Sequence, residues 1–250
     1  MIVVTGIYTE NYRSVVELQE QSCLDDYVFD YRYITDEEWN KHKSQDGFAF
    51  FGGNTIKTQL VIDKIKEYWG KLIIVADADL VFLKKTEDRL LQELGDKDML
   101  FLRERYDFEK NPYEKARANI NIGFVLMRCN ERSLAFWEIV QEQVVNLAGW
   151  DQEIANEIML NKEIDLKYAL LSENFLNGGD INSKNIRQQY ICTSCGTVAK
   201  RNNLSKYEYL SKVLEIAQGK NNVWFDGNLV EPSSLKKVTL ADKIKKLIKL

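Results

Sequence analysis

Two carboxylates one residue apart, Asp77 and Asp79, are the residues of this 250-residue chain best placed to do chemistry. They follow an apolar run at 72–76, which is typical of a strand buried on both faces. Burying two neighbouring carboxylates is costly unless a cation shares them, and hard divalent ions prefer such oxygen ligands. An ion with an open face can clamp a diphosphate. The pair therefore predicts a metal–phosphate site, with a solvated turn as the alternative.

The segments around this pair alternate between strand and helix patterns. Short apolar runs predict strands at 2–7, 27–34, 72–76, 99–102, 120–127 and 164–171. Helical spacing of apolar residues predicts helices at 10–23, 54–69, 88–94, 131–145 and 151–160. Asn54 is the expected N-cap of the second helix and Gly70 its stop, and 35–53 and 103–117 are predicted loops. The alternation predicts an α/β, Rossmann-like domain with a mostly parallel central sheet flanked by helices.

The composition is that of an ordinary globular protein, with 45% apolar and 29% charged residues. No run approaches the roughly 20 apolar residues that a membrane span needs, and no basic leader precedes the first strand. Because the cysteines are few and irregularly spaced, we interpret them as free thiols in a reducing compartment: Cys23, Cys129, Cys192 and Cys195. We therefore expect a cytoplasmic protein.

The net charge of −4 is unevenly distributed. Residues 236–250 carry six Lys and one Asp, or +5, so the remainder carries −9 by subtraction. An acidic body argues against a nucleic-acid partner, because phosphate contacts need clustered Lys and Arg. The 236–250 pattern predicts a basic amphipathic helix, which suits a peripheral contact with an anionic membrane surface on the cytoplasmic face or packing against the body. We divide the chain into a domain at 1–235 and this helix.

Three motifs, taken in order, resemble those of GT-A-type nucleotide-diphospho-sugar glycosyltransferases. The segment 77–79 is similar to their Asp-x-Asp motif, and 119–124 (Asn-Ile-Asn-Ile-Gly-Phe) to their Asn-x-Gly-Phe strand. The segment 151–156 is similar to their Asp-Gln-x-x-x-Asn helix. Each motif is weak alone, and their shared order makes the match stronger. The resemblance covers the chain to about residue 200 and is nearest to the retaining branch, which keeps the stereochemistry at the sugar carbon.

The resemblance implies a GT-A-like domain that moves a hexose or pentose from a nucleotide-sugar donor, with UDP favoured, to a hydroxyl of a glycan or glycolipid. Asp77 and Asp79 would bind manganese or magnesium, with Asp77 also near the ribose. Asp151 and Gln152 would face the anomeric carbon and the acceptor. The other implied donor contacts are Thr5, Tyr8 and Tyr12 at the base, Lys57 near the donor, Asn121 at the sugar and Lys200 at the diphosphate.

One position departs from the family's pattern. The family usually completes its metal shell with a His shortly before Gly196, where this chain has Tyr190 or Cys192. The single His, His42, lies far away in the early loop. The metal would then have only the two Asp ligands with phosphate and water, or bind weakly, or transfer would proceed without it.

Ordinary structural explanations compete with these roles. Asp151 could be only a helix N-cap, and Asn121 could serve a local turn. Lys57 and Lys200 could be solvated surface lysines, and the tyrosines could be packing aromatics. Two other functions also stay open. One is a phosphohydrolase of the haloacid dehalogenase type, which shares the strand-Asp-x-Asp pattern, and the other is a nucleotide-sugar binder without catalysis.

Overall fold

The computed structural model describes residues 1–43, 51–104, 119–147, 149–176, 186–194, 204–219, 223–225 and 228–230. The strands are β1 (Val3–Tyr8), β2 (Val28–Tyr33), β3 (Leu72–Ala76), β4 (Leu80–Phe82), β5 (Met99–Arg103), β6 (Ile120–Arg128), β7 (Tyr168–Leu170), β8 (Phe175–Leu176), β9 (Ile191–Thr193), β10 (Val223–Phe225) and β11 (Asn228–Val230). The helices are α1 (Arg13–Ser22), α2 (Asp36–Lys43), α3 (Phe51–Glu67), α4 (Glu87–Leu94), α5 (Glu131–Leu147), α6 (Asp151–Asn161) and α7 (Lys206–Ala217), with 3-10 turns at Glu10–Tyr12 and Ile186–Gln188.

Six of these strands form the central sheet, in the order β2-β1-β3-β6-β5-β7. β1 pairs in parallel with β2 and with β3, and β5 pairs in parallel with β7. β6 runs against both of its neighbours, β3 and β5. The predicted α/β fold with a mostly parallel sheet is therefore confirmed, and it contains one reversed strand that the sequence patterns did not reveal.

The reversed direction of β6 decides what lies beside the end of β3. Ala76, the last residue of β3, is opposite Phe124, and the Asp77 amide donates to the Gly123 carbonyl over 2.8 Å. The beginning of β6 thus meets the carboxyl end of β3. Ligands of open α/β sheets bind at such ends, so side chains from both strands can share one site.

Apolar side chains cover both faces of the central sheet. Successive residues of a strand point to opposite faces, so Ile73 and Val75 pack with one set of helices and Ile74 and Ala76 with another. On the first face lie apolar residues of α3, α5 and α6, including Val61, Ile65, Phe136, Trp137 and Ile158. On the second lie Leu90 and Leu94 of α4. Burying each large apolar side chain contributes about 1.5–3 kcal/mol, which fixes the sheet between these layers.

A smaller sheet, in the order β4-β9-β8, begins just after the aspartate pair. β4 is antiparallel to β9, and the Ser194 amide that follows β9 donates to the Asp79 carbonyl over 2.7 Å. One face of this sheet packs against α1 and α7 in a cluster that includes Val15, Val81, Cys192, Leu210 and Val213. The link from β3 to β4 is therefore held between two sheets, which fixes the backbone that carries Asp77 and Asp79.

Several sequence predictions need correction. The segment expected to be a loop at 35–53 contains α2, whose acidic first turn (Asp36, Glu37 and Glu38) favours a helix start. α3 begins at Phe51, so Asn54 lies inside that helix and is not its N-cap. The strand expected at 164–171 is limited to β7. α7 was not predicted, although its start carries a capping box of Ser205 and Glu208.

The predicted helix at 236–250 lies outside the described residues, and the division of the chain at residue 235 stays a prediction. Within the part of the chain that the structure describes, no helix is both long enough and apolar enough to cross a bilayer.

A buried carboxylate, Asp98, joins three elements at the far end of the sheet from the aspartate pair. It lies just before β5 and accepts hydrogen bonds from Asn130 Nδ2 at 2.8 Å, Arg132 Nε at 2.8 Å and the Lys167 amide at 3.1 Å. Burial would raise the pKa of Asp98, but the bonds from Arg132, Asn130 and the Lys167 amide outweigh it and the pKa is lowered. The ionised form of Asp98 therefore stabilises the folded chain.

We expect Asp98→Asn to reduce the free energy of unfolding at neutral pH by about 1–3 kcal/mol, because three donors lose the charged acceptor at a buried position. Because the pKa of Asp98 is lower in the folded state, its ionised form stabilises the protein above the unfolded pKa of about 3.9. This contribution disappears as the pH falls through the folded pKa. Urea denaturation at neutral and acid pH should therefore show that acidification reduces the free energy of unfolding less for Asp98→Asn than for the wild type. Asp96→Asn, at an exposed carboxylate two residues away, is the control. Identical pH profiles for Asp98→Asn and the wild type would contradict this account.

Candidate functional site

A cavity of about 460 Å³ opens where β1, β3 and β6 present their ends to α3, α6 and α7. Eight of the ten predicted site residues line it: Tyr8, Tyr12, Lys57, Asp77, Asp79, Asn121, Asp151 and Gln152. Thr5 is not among the lining residues, and Lys200 lies outside the described residues. The fold thus brings together side chains that are up to 144 positions apart along the chain, counted from Tyr8 to Gln152.

Asp77 is held at the end of β3 by a buried lysine. Lys57 Nζ, from α3, donates to Asp77 Oδ1 at 2.6 Å and to the Ile122 carbonyl at 3.3 Å. Only 8% of Lys57 is exposed, so the alternative that it is a solvated surface lysine is wrong. Burial lowers the pKa of Lys57, but the negative charges of Asp77 and Asp151 outweigh it and the pKa is raised. Lys57 is therefore a fixed positive charge.

The position next to the Asp77 carboxylate, Gly123, is tightly packed and suits a residue without a side chain. A Cβ on Gly123 would lie 2.7 Å from Asp77 Oδ2 and 2.9 Å from Asn121 Oδ1. Real side chains do not approach this closely. The Gly123 amide also donates to Asn121 Oδ1 over 2.8 Å, which is the local role expected as an alternative for Asn121. The Asn-x-Gly pattern of β6 thus leaves room for the Asp77 carboxylate.

Asp79 is held by groups that the sequence patterns did not point to. Its Oδ2 accepts from Ser194 Oγ at 2.9 Å and from Lys206 Nζ, the first residue of α7. Lys206 Nζ also donates to the Tyr12 hydroxyl at 2.7 Å and lies 4.8 Å from the centre of the Tyr12 ring. The sequence signal that would have found Lys206 is the capping box of Ser205 and Glu208 on either side of it, since this fixes where α7 begins.

A second carboxylate, Glu104, organises the other end of the cavity. Its Oε2 accepts from Asn121 Nδ2 and, at 3.0 Å, from Gln152 Nε2. Glu104 is buried and lines the cavity immediately after β5. It was missed because it falls at the start of a segment expected to be a charged loop. The rule that ligands bind at the carboxyl ends of strands would have drawn attention to it.

Asp151 starts α6 and is almost completely buried. The N-cap of α6 is Trp150, so the alternative that Asp151 is the helix cap is wrong. Burial raises the pKa of Asp151, while the charge of Lys57 opposes this. α6 is also tied to β6, because Asn156 Oδ1 accepts from the Ile120 amide and Asn156 Nδ2 donates to the Ile120 carbonyl, both at 2.9 Å. The Asn of the Asp-Gln-x-x-x-Asn pattern therefore positions its Asp and Gln.

The residues expected at the nucleotide base lie in different surroundings. Thr5 is completely buried, and its hydroxyl donates to the Asp30 carbonyl at 2.7 Å, away from the cavity. Tyr8 packs on Tyr33 with ring centres 5.5 Å apart and still lines the cavity. Tyr12 lines the cavity beside Lys206. Two of the three residues expected at the base, Tyr8 and Tyr12, therefore line the cavity, and the role of Thr5 stays a prediction.

The described residues do not fit a resident divalent ion at Asp77 and Asp79. Each carboxylate is ion-paired with a lysine, and a divalent cation there would lie beside two ammonium groups, which repel it. Within the described ranges, no group of three or more His, Cys, Asp or Glu side chains could hold a metal. Near the position of the family's His, Tyr190 stacks on Phe175 at 4.9 Å and Cys192 is buried.

Comparisons with known proteins identify the family and the fold of this chain. The model of the nucleotide-diphospho-sugar transferase family matches residues 61–212, which is more than half of the chain. No curated protein matches it. A glycosyltransferase involved in glycosylation of the major capsid of PBCV-1 is similar in structure, with a TM-score of 0.54, 16% identity and coverage of 84% of this chain and 98% of that one.

A second similar structure is the galactosyltransferase LgtC in complex with donor and acceptor sugar analogs. Its TM-score is 0.56 at 13% identity, and the match covers 88% of this chain and 96% of that one. At these identities the likeness establishes the fold, a central mostly parallel sheet flanked by helices as in GT-A glycosyltransferases.

We expect Gly123→Ala to reduce the free energy of unfolding by about 1–3 kcal/mol, because the added Cβ overpacks the Asp77 carboxylate. The effect is measured by urea denaturation. A double-mutant cycle with Asp77→Ala isolates the overlap. In the Asp77→Ala background the cost of Gly123→Ala should be clearly smaller. The same cost in both backgrounds would show that Gly123 is needed for another reason.

Proposed function

The chain belongs to the nucleotide-diphospho-sugar transferase family, and we propose that it moves a sugar from a UDP-sugar to a hydroxyl of a glycan or glycolipid. The observation that carries this proposal is the set of charged side chains that line one cavity. Lys57 and Lys206 bring two ammonium groups to the aspartate pair, and the buried Asp151 and Glu104 line the same cavity. The lysines suit a diphosphate, and the carboxylates with their amide partners suit the hydroxyls and the developing positive charge of a sugar.

In this proposal the base, the diphosphate and the sugar of the donor each contact a different group of residues. The base lies against Tyr8 and Tyr12, since aromatic faces stack on any nucleobase. The diphosphate lies between Lys206 and Lys57. The sugar then extends towards Asn121 and Gln152, whose amides are held in one orientation by Glu104 and can recognise hydroxyls. Lys200, outside the described residues, is proposed as a further diphosphate contact.

The proposed transfer retains the configuration at the anomeric carbon. The bond from this carbon to the diphosphate oxygen breaks, and its electron pair leaves with the diphosphate. The acceptor hydroxyl forms the new bond on the same face, and its proton passes to the departing diphosphate. The charge that develops on the leaving oxygen is stabilised by ammonium groups already fixed in place. Asp151 either stabilises the positive sugar carbon or orients the acceptor. The proposed transfer does not use a divalent ion.

Nucleotide binding is the first test. We expect calorimetric titration with UDP, GDP, CDP and ADP to show binding, with UDP favoured, and Lys57→Met to weaken it by about tenfold or more. Lys66→Met changes an exposed lysine of the same helix and should leave binding unchanged. No binding of any nucleotide, with hydrolysis of a small phosphate ester instead, would overturn the proposal in favour of the phosphohydrolase.

Transfer is then measured with a UDP-sugar and a panel of glycan acceptors, by the mass of the product. NMR of the anomeric signal shows whether configuration is retained. Loss of transfer in Asp151→Asn, with nucleotide binding preserved, is the expected result. Nucleotide-sugar binding with no transfer to any acceptor would favour the non-catalytic binder.

We also propose that residues 236–250 contact an anionic membrane surface from the cytoplasmic side, since their pattern combines an apolar face with six lysines. In a flotation assay the full chain should rise with anionic liposomes. A variant in which Lys245, Lys246 and Lys249 are replaced by Gln should stay at the bottom of the gradient. Equal flotation of both proteins, or of neither, would contradict this contact.

A further inference from the structure

Lys206 occupies a place at the aspartate pair that the sequence patterns assign to a metal ion. Its ammonium group binds the same Asp79 oxygen as Ser194 Oγ, and it also donates to the Tyr12 hydroxyl at 2.7 Å. It comes from α7, which lies 127 positions beyond Asp79 in the chain. The position of the Lys206 ammonium group therefore depends on how the fold holds α7.

The fold does hold α7 firmly. Its first turn is closed by the capping box of Ser205 and Glu208, which fixes where the helix begins and therefore where Lys206 projects. Buried residues on one face of α7, Tyr209, Leu210 and Val213, pack in the same cluster as Val15 and Val81. The backbone of Lys206 is therefore positioned by packing that does not involve Asp79.

The surroundings of Lys206 keep it charged. Burial lowers the pKa of Lys206, but the charge of Asp79 and the hydrogen bonds to Asp79 and Tyr12 outweigh burial and raise it. Lys206 and Lys57 are the two cationic side chains among the described residues that line the cavity. Each is tied to one aspartate of the pair, so two positive charges stand where a single divalent ion would bring the same total.

We propose that Lys206, together with Lys57, takes the role of the divalent ion, so that a nucleoside diphosphate binds and leaves this site without a metal. This inference rests on the proposed function. The ammonium group of Lys206 donates to a diphosphate oxygen, and when the bond to the anomeric carbon breaks, the electron pair moves to that diphosphate. The lysine keeps its proton throughout, and Asp79 keeps the ammonium group in place between turnovers.

The contact with Tyr12 extends this role to the nucleotide. Because Lys206 donates to the Tyr12 hydroxyl, a base stacked on the Tyr12 ring and a diphosphate on Lys206 share one support. The site therefore takes the base and the diphosphate of one ligand, and free inorganic phosphate gains only part of these contacts.

The test is calorimetric titration of the full chain with UDP, or with whichever of GDP, CDP and ADP binds, in excess EDTA and in excess manganese. The wild type should bind with the same dissociation constant, within about twofold, in both buffers. Lys206→Met should weaken binding in EDTA by about tenfold to a hundredfold, the loss of one charge-assisted hydrogen bond. Lys206→Arg should restore much of it, and Lys212→Met, on the same helix and paired with Glu215, should match the wild type.

The outcomes separate this inference from the proposed function. Wild-type binding that appears only with manganese would overturn the inference and leave the glycosyltransferase assignment intact. Unchanged binding of Lys206→Met in EDTA would overturn it as well. Failure of every nucleoside diphosphate to bind in either buffer would overturn both proposals. A melting temperature for each variant confirms that binding is compared between folded proteins.

Discussion

A buried ammonium group, Lys57 Nζ, is the contact that the rest of the site depends on, because it links α3 to groups on β6, at the end of β3 and at the start of α6. Lys57 lies on α3 and donates to the Asp77 carboxylate after β3 and to the Ile122 carbonyl on β6. The negative charge of Asp151 at the start of α6 also stabilises it. A charge removed from water is tolerated only where partners replace its hydration. The strand order must therefore set β3 beside β6, and α6 must begin where Asp151 can share the same lysine.

The reversal of β6 makes this meeting possible. In a sheet whose strands all run the same way, the end of β3 would lie beside the end of its neighbour. Here the end of β3 lies beside the first half of β6. The first residues of β6 supply an amide side chain at Asn121 and an open space at Gly123. α6 follows the same strand through the bonds of Asn156 to Ile120. Displacing β6 would therefore move Asn121, Asp151 and Gln152 together.

The parts of this arrangement that local patterns encode were predictable. The apolar run of β3 followed by Asp77 and Asp79 marks a buried strand that ends in charge, and the helical spacing of α5 and α6 follows from one apolar face each. The positions of Glu104 and Lys206 had local signals, a strand end and a capping box, but their roles did not, because each acts through partners many positions away. α2 was overlooked since a polar helix has almost no periodic apolar signal. The direction of β6 could not be predicted from the spacing of apolar residues either, because this spacing is the same for a parallel and an antiparallel strand.

The pairing of two aspartates with two lysines has a consequence for how the site meets its ligand. Isolated ammonium groups in a cavity would have to be reoriented as charge develops on a leaving group, and that reorganisation adds to the barrier. Here Asp77 and Asp79 hold Lys57 and Lys206 in place, so in the proposed transfer the charges would already be oriented when the bond breaks. The same carboxylates weaken the field of each lysine, which would limit how tightly the proposed diphosphate ligand is held in the ground state. Because only interactions that strengthen in the transition state speed the chemical step, lysines restrained by carboxylates suit release of the diphosphate as well as its capture.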